Sequence, residues 1–382
     1  MDYDLTQEQE MIRKEVRSFA RKEISPVALD LDEKEAFSVD LTRRMGQIGL
    51  FGMFVGEAYD GQGLDYLSYI IAVEELARVD GSQAATIAAG NSLGIGPIYY
   101  FGTEEQKRKY LPRLCRGEGV WGFGLTEPTA GSDAGGSKTT AVLEGDEWVI
   151  NGSKIFITNA ATDMTLGVTV QAVSGKKENG RPEYSCFLVE QGVKGFKAVP
   201  MHRKMMWRSS NTATLYFDNV RIPRGQILGK KGDGFHQMLK TLDGGRLSIA
   251  AMGLGGAQGA FDAAMKYARE RVQFGQPISK FQAVSFKLAD AATEIECGRN
   301  LLYKACWLRD KGRPFQKEAA MAKLYCSELM GRVADSAVQI HGGYGLMKEY
   351  GVERFYRDQK LLEIGEGTSE IQRLVISRYI GC

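Results

Sequence analysis

Apolar residues recur with a helical period over the first third of the chain, with a period of two through the middle, and with a helical period again to the end. Thr6 and Gln9 have the spacing of a capping box, and Ile12, Val16, Phe19 and Ala20 follow on one face until Pro26 ends the helix. Further helical patterns cover Ser38–Gly49, Tyr66–Val79, Gly81–Tyr100 and the shorter Thr103–Leu111. From about Gly122 the pattern predicts short strands over Ser137–Leu143, Glu147–Ile150, Lys154–Thr158, Leu166–Gln171, Tyr184–Val189 and Ala213–Phe217. Turn signals such as Glu144-Gly145-Asp146 and Asn151-Gly152 separate them, which points to a small antiparallel sandwich or barrel. Beyond Gly232, Ser279 is expected to cap a long helix whose Phe281, Val284, Leu288, Ala291, Ile295, Leu302 and Ala305 follow the seven-residue repeat of a bundle. A second long helix is predicted over Lys317–Ile340, ending at Gly342-Gly343. The expected fold is α+β in three parts: an N-terminal helical domain (1–121), a central antiparallel β domain (122–231) and a C-terminal four-helix bundle (232–382).

Composition narrows the function without naming it. With 43% hydrophobic and 25% charged residues the 382-residue chain is ordinary globular protein. Its 49 basic and 47 acidic residues leave a net charge of +2, too even for a protein whose affinity comes from neutralising phosphates, so no nucleic-acid partner is expected. The six cysteines form no C-x-x-C pair; reduced thiols in a cytoplasmic protein fit better than a disulfide framework or a zinc site. The three histidines are scattered, so no metal is expected and acid–base work falls to a carboxylate. The acidic start lacks the apolar core of a secretory signal, and the uncharged stretch Leu247–Phe261 is shorter than the roughly 20 residues of a membrane span.

Four motifs carry candidate chemistry, each with an ordinary structural reading beside it. The run Gly253-Leu254-Gly255-Gly256-Ala257-Gln258-Gly259 lacks the preceding strand and the third-glycine spacing of a dinucleotide loop, so close helix packing explains it better. Phe123 to Asp133 places hydroxyls, acids and glycines where helices give way to strands; its N–H groups suit an anion, and an Asx or Ser turn fits the same residues. Arg271 to Ile278 joins two helices with an arginine, an aromatic and a glutamine that suit a phosphate and a planar ring, or simply a capping turn. Glu366 stands between Gly365 and Gly367 just before a helix start. Facing an apolar ligand, its carboxyl would titrate near working pH as a general base; a solvated acid at a helix N-terminus fits as well.

Taken in order, these residues resemble the acyl-CoA dehydrogenases across essentially the whole chain. The motifs are Leu125-Thr126-Glu127-Pro128, Gly131-Ser132-Asp133, Asn151-Gly152-Ser153-Lys154, Ile157-Thr158-Asn159, Leu242-Asp243-Gly244-Gly245-Arg246, Arg271 through Gln282, Gln339 through Gly345, Tyr356-Arg357-Asp358 and Glu366-Gly367-Thr368. The resemblance implies an FAD enzyme, commonly a homotetramer, that passes electrons to an electron-transfer flavoprotein. It implies that Phe123, Leu125, Thr126, Gly131 and Ser132 line the flavin and pyrophosphate, and that Phe156 and Thr158 lie at the flavin ring. Arg271, Phe274, Gln282, Gln339, Gly342 and Gly343 would reach the adenine side from an adjacent subunit, with Thr368 and Glu370 completing the cofactor contacts. Ser132, Asp243 and Arg246 match positions for the CoA portion, and Gly365, Gly367 and Asn91 positions near the acyl group.

The implied reaction removes the α-proton of an acyl-CoA to Glu366 while the β-hydrogen leaves as hydride to flavin N5, giving a 2,3-enoyl-CoA. In the family, donors to the thioester oxygen are the glutamate's own N–H and a ribityl hydroxyl. Some relatives carry their base immediately before the arginine of the Leu242–Arg246 motif; here that position is Gly245, so Glu366 has no competitor. Many straight-chain members have tyrosine before the glutamate, whereas this chain has Gly365, which leads to the expectation of a branched or alicyclic acyl group such as cyclohexanecarboxyl. A linear short- or medium-chain enzyme is the alternative. An acyl-CoA oxidase fits less well because the chain ends soon after Glu366, and a non-catalytic scaffold would be expected to have lost the base. A nitroalkane-oxidising relative would be expected to carry an aspartate. The uncharged Asn91 and Ser92 offer no partner to a dicarboxylic acyl group.

Overall fold

Helix starts and stops fall where local chemistry puts them. In the computed structural model, which describes residues 4–382, Thr6 and Gln9 close the expected capping box and open α1 (Gln7–Phe19), which runs on through a π-helical turn to Ile24. Short helices α2 (Ala28–Lys34) and α3 (Val39–Gln47) follow, then the buried α4 (Tyr66–Ala77) and α5 (Gly81–Ala89). A π-helical turn over Gly90–Ile95 joins α5 to α6 (Gly96–Phe101), and Thr103 with Gln106 forms a second capping box at the head of α7 (Glu104–Cys115).

The strands are β1 (Val120–Gly124), β2 (Thr140–Glu144), β3 (Glu147–Thr158), β4 (Thr165–Lys176), β5 (Pro182–Glu190), β6 (Phe196–Pro200), β7 (Thr212–Pro223) and β8 (Ile227–Leu228). They form one sheet in the order β6-β7-β3-β2-β4-β5-β8, with β1 pairing β4 in parallel. The sheet is therefore mixed, where the sequence predicted a purely antiparallel one. β1 escapes a period-two reading because all five of its residues are buried. Asn151-Gly152, expected as a turn between two strands, is instead a bulge inside the single long β3, where the pairing with β7 shifts between Ile150 and Gly152.

The C-terminal part comprises α8 (Gly234–Glu270), a hairpin of β9 (Val272–Gln273) and β10 (Gln276–Pro277), then α9 (Gln282–Asp310), α10 (Gln316–His341), α11 (Val352–Ile364) and α12 (Ser369–Ile380). Ser279 is not the cap of α9: it lies in a 3-10 turn, and Phe281 takes the cap position without a side-chain bond. The hairpin corrects the reading of Arg271–Ile278 as a capping turn. Phe274 (φ +50) and Gly275 (φ +77) both occupy left-handed space, as a tight two-residue hairpin loop requires.

Two cores hold the chain. One is continuous through the N- and C-terminal helices and includes Tyr69, Leu76, Leu247, Leu254, Leu302 and Leu329; the other fills the β region around Trp148, Ile150, Val168, Phe187 and Leu215. The Tyr356-Arg357-Asp358 motif ties all three parts together. Asp358 accepts from the Trp207 N–H (2.8 Å), Arg357 donates to Asp32 (2.7 Å) and the Met205 carbonyl (2.9 Å), and the neighbouring Arg354 pairs with Asp80. No helix among the described residues is long and apolar enough to cross a membrane.

The glycine run of α8 is a packing seam. A methyl group on Gly255 would stand 2.1 Å from the Glu74 carbonyl oxygen, one on Gly259 2.2 Å from that of Arg78, and one on Gly253 2.5 Å from that of Cys326. These are backbone atoms of α4, its C-terminal cap and α10, which cannot give way locally. Gly255→Ala should therefore lower stability by about 1–3 kcal/mol. Gly225→Ala, which meets nothing within 4 Å, should leave the thermal melt unchanged; equal melts for the two variants would contradict the seam.

Candidate active site

The loop after β1 is organised by a buried ion pair. The Glu127 carboxylate accepts from the Lys154 ammonium (2.8 Å) and from the N–H groups of Lys138 (2.7 Å) and Thr139 (3.0 Å). Burial alone would push this carboxyl up; the lysine and the two N–H groups outweigh it and hold the carboxyl down at about 2. Lys154 also donates to the Leu125 carbonyl (3.1 Å), and the Ile155 N–H donates to the Thr126 carbonyl (2.9 Å). The start of the loop is thus fastened along β3, with Thr126 held against Ile155, the residue before Phe156. Phe123 and Leu125 bury their side chains in the helical core, whereas Gly131 and Ser132 are exposed. Phe156 sits at a bulge with φ +62 and its residue is 62% exposed, a strained backbone position that leaves the ring open.

Glu366 follows α11 at φ +53, again left-handed, and Gly367 follows at φ +94. Thr368 then caps α12 by accepting from the Ile371 N–H, and Glu370 lies exposed in the first turn of that helix. The Glu366 residue is half-buried, but its Oε2 is fully enclosed and has no hydrogen-bond partner among the described residues. The oxygen occupies the space that a side chain at Gly245 on α8 would take: a methyl there would stand 1.9 Å away. Burial pushes the Glu366 carboxyl up to about 7, while Lys323 and Arg246 pull in the opposite direction.

Two buried cations frame this carboxylate. Arg246 is 7% exposed and donates to Asp243 at 2.7 Å. Lys323, from α10, is fully buried and donates to the Gly367 carbonyl at 2.7 Å; Gln372 donates to the same oxygen at 2.8 Å. Burial lowers the Lys323 ammonium to about 8. On the α4 side Tyr69, Ser92 and Ser248 form a buried hydroxyl cluster, with Ser248 donating to the Gly245 carbonyl at 2.8 Å.

Several expected site residues sit differently from the reading of the sequence. Asn91 is no acyl-group contact. It is fully buried in the π-helical turn, accepting from the Gly52 N–H and donating to the carbonyls of Leu50 and Ile87, so its amide is saturated by backbone. Arg246, expected at the CoA portion, is buried, paired with Asp243, and lowers the Glu366 carboxyl by its charge. The sequence assigns no individual role to Lys323 or Lys154; each lies on a regular helix or strand, and only its burial without an adjacent acid in sequence hints at a role.

Arg271, Gly342 and Gly343 come together in a separate cleft of about 570 Å³, lined also by Tyr267, His341 and Tyr344. The Arg271 guanidinium lies 5.5 Å from the Tyr344 ring centre, and Gly342 turns out of α10 at φ +59. No residue of the Phe123–Ser132 loop lines this cleft. Phe274 at the hairpin tip is 93% exposed, and Gln282 and Gln339 are exposed nearby on α9 and α10.

Comparison with known proteins accounts for this arrangement. The N-terminal, middle and C-terminal domain models of acyl-CoA dehydrogenase match residues 6–118, 122–220 and 232–381. A probable acyl-CoA dehydrogenase, YngJ, of Bacillus subtilis is 52% identical over 380 residues, and a short-chain specific acyl-CoA dehydrogenase of Clostridium acetobutylicum is 47% identical, each alignment covering 100% of both chains. Butyryl-CoA dehydrogenase from Megasphaera elsdenii superposes with a TM-score of 0.96 at 42% identity, and a chain from the structure of the electron transferring flavoprotein of Acidaminococcus fermentans with 0.96 at 45%, both over 100% of each chain. The chain belongs to the acyl-CoA dehydrogenase family of FAD-dependent oxidoreductases.

Proposed function

We propose that the protein oxidises short, straight-chain acyl-CoA thioesters of the butyryl type to 2,3-enoyl-CoA, with Glu366 as the base that removes the α-proton. The observation that carries the reading is the enclosed, unpartnered Glu366 oxygen with its carboxyl raised to about 7. A base of that kind is half ionised near neutral pH and takes a proton readily once substrate closes the site. The branched or alicyclic preference expected from Gly365 is not supported: similar proteins include a short-chain specific and a butyryl-CoA dehydrogenase.

The residues present fit FAD. The exposed Phe156 ring at a strained backbone position offers a face to a flat partner, and the exposed Gly131 and Ser132 leave main chain and hydroxyl open to phosphate. Thr126, Thr158, Thr368 and Glu370 would complete the contacts on this side. Arg271, Phe274, Gln282, Gln339, Gly342 and Gly343 form a second surface, which would serve the cofactor of a neighbouring copy in a homotetramer. FAD held there would supply the hydride acceptor for the β-hydrogen, which no side chain of this protein can be.

The chain's own contribution is orientation and proton transfer. Gly245 leaves the volume that Glu366 fills, Gly367 completes the left-handed turn that points the carboxylate inward, and Asp243 holds Arg246 beside it. Ser132 and Asp243 would meet the CoA portion of the substrate. An electron-transfer flavoprotein is the proposed acceptor, supported by the similarity to a chain from the structure of such a protein. Six free cysteines accord with a cytoplasmic setting.

Under anaerobic conditions butyryl-CoA should bleach the bound flavin faster than isovaleryl- or cyclohexanecarboxyl-CoA; the reverse order would contradict the short-chain assignment. Gly245→Ala should cut the bleaching rate by about 100-fold or more by displacing the carboxylate, with flavin content retained. An unchanged rate in that variant would mean that the working carboxylate does not lie against α8 at Gly245.

Stability should respond to pH in a defined direction. Because the folded-state carboxyl titrates at about 7, above its ordinary range, the folded protein holds a proton that the unfolded chain has released between roughly pH 4.5 and 7. Stability from this group is therefore lost as pH rises through that window. Glu366→Gln should melt higher than the wild type at pH 8, with the gap narrowing toward pH 5; a gap independent of pH would contradict the titration.

A further inference from the structure

We propose that Lys323 is a positioning residue for this reaction, fixing the Glu366–Gly367 turn through the Gly367 carbonyl and biasing the Glu366 carboxyl toward its ionised form by its charge. The inference rests on the assignment of Glu366 as the base and adds the group that sets when it can act.

The starting point is a lysine where none is needed for packing. Lys323 is fully buried in α10 among Ala319, Ala320, Ala322 and Cys326, all fully buried themselves. Enclosing an ammonium without an ion pair is costly, and a methionine would fill similar volume at lower cost. Its one hydrogen bond, to the Gly367 carbonyl at 2.7 Å, does not explain the charge. Gln372 already donates to the same oxygen at 2.8 Å, so a second neutral donor would finish the job. Among the described residues no carboxylate lies within ion-pair distance of Lys323.

The ammonium is held one residue along the chain from the base, on the carbonyl of Gly367. Glu366 is the largest stabilising influence on the charged form of Lys323, and Lys323 is the larger of the two cationic influences on Glu366. The charged and titratable groups acting on the pair include Arg246 from α8, Tyr69 from α4, Glu363 at the end of α11 and Glu370 at the start of α12. Arg246 shares its charge with Asp243 at 2.7 Å, so its field on Glu366 is partly cancelled. Lys323 has no ion-pair partner among the described residues, and Glu363 and Glu370 act on it more weakly than Glu366 does. A bound acyl chain that displaces water would strengthen the field of Lys323 on Glu366.

The arrangement sets two opposing influences on one carboxyl. Enclosure raises it, which makes it a competent proton acceptor; the nearby cation stops the rise before the group is locked in its acid form at neutral pH. Removing the charge while keeping a donor to Gly367 should move the Glu366 titration to higher pH.

The test uses Lys323→Gln in the flavin-loaded enzyme. Two midpoints are read: the pH at which butyryl-CoA bleaching reaches half its rate, and the pH at which the Glu366 carboxylic C=O stretch disappears in substrate-free enzyme, identified by its absence in Glu366→Gln. Both should rise by about one pH unit, so that bleaching falls about tenfold at pH 6 and little at pH 9, with flavin content unchanged. Midpoints equal to the wild type, with a rate loss uniform in pH, would reduce Lys323 to a structural lysine and overturn the proposal. The infrared midpoint does not depend on Glu366 being the base. If Glu366→Gln still bleaches normally, the base assignment fails while the infrared shift still decides on Lys323. Should Lys323→Gln not fold, the reciprocal measurement stands in: the isotope-labelled Lys323 Nζ should titrate lower in Glu366→Gln than in the wild type, and an equal titration overturns the coupling.

Discussion

One oxygen atom of Glu366 lies where the side chain of residue 245 would be, and much of the C-terminal half is arranged around that displacement. The carboxylate reaches the spot only because α8 carries glycine there and because the chain turns through left-handed space at Glu366 and Gly367. A non-glycine residue at positive φ is strained, and the strain persists where the surroundings over-determine it. Here α10 and α12 do so, through Lys323 and Gln372 on the Gly367 carbonyl and through Thr368 capping the next helix. The same α8 that makes room for Glu366 packs by its glycine seam against α4 and α10, so the frame of the site and the core of the protein are one object.

The β region solves a different problem with similar means. The loop that carries Thr126, Gly131 and Ser132 must stay open to a ligand, yet its root must not move. A buried Glu127–Lys154 pair, with two N–H groups on the same carboxylate, fastens the root to β3 and leaves the tip exposed. Such a pair is a poor source of net stability, but breaking one partner strands the other. Its worth here is in fixing where the loop lies relative to Phe156.

How far the sequence announced all this depends on how local each signal is. The Thr6 and Thr103 helix starts, the Gly342 helix stop and the placement of Glu366 just before a capped helix are set by neighbouring residues, and they could be read directly. β1 could not, because a strand buried on every side has no alternation. Asn151-Gly152 reads as a turn yet forms a bulge, since pairing with β7 on both sides keeps β3 continuous. Asn91, Arg246 and Lys323 show the limit most clearly. The resemblance placed Asn91 near the acyl group and Arg246 at the CoA portion and gave Lys323 no role, and their actual surroundings follow only from which elements pack over them. Gly365 shows another limit: a missing ring suggested a wider pocket, but the absence of one side chain does not by itself fix the shape of an acyl site.

The central claim is that Glu366 removes the α-proton of a bound acyl-CoA. The direct measurement is deuterium incorporation at C2 of butyryl-CoA, followed by mass spectrometry after anaerobic incubation with the enzyme in heavy water. Wild-type enzyme should exchange the C2 hydrogens, whereas Glu366→Gln, with flavin still bound, should lose exchange to the level of the buffer. Undiminished exchange in Glu366→Gln would contradict the account, because another group would then be taking the proton.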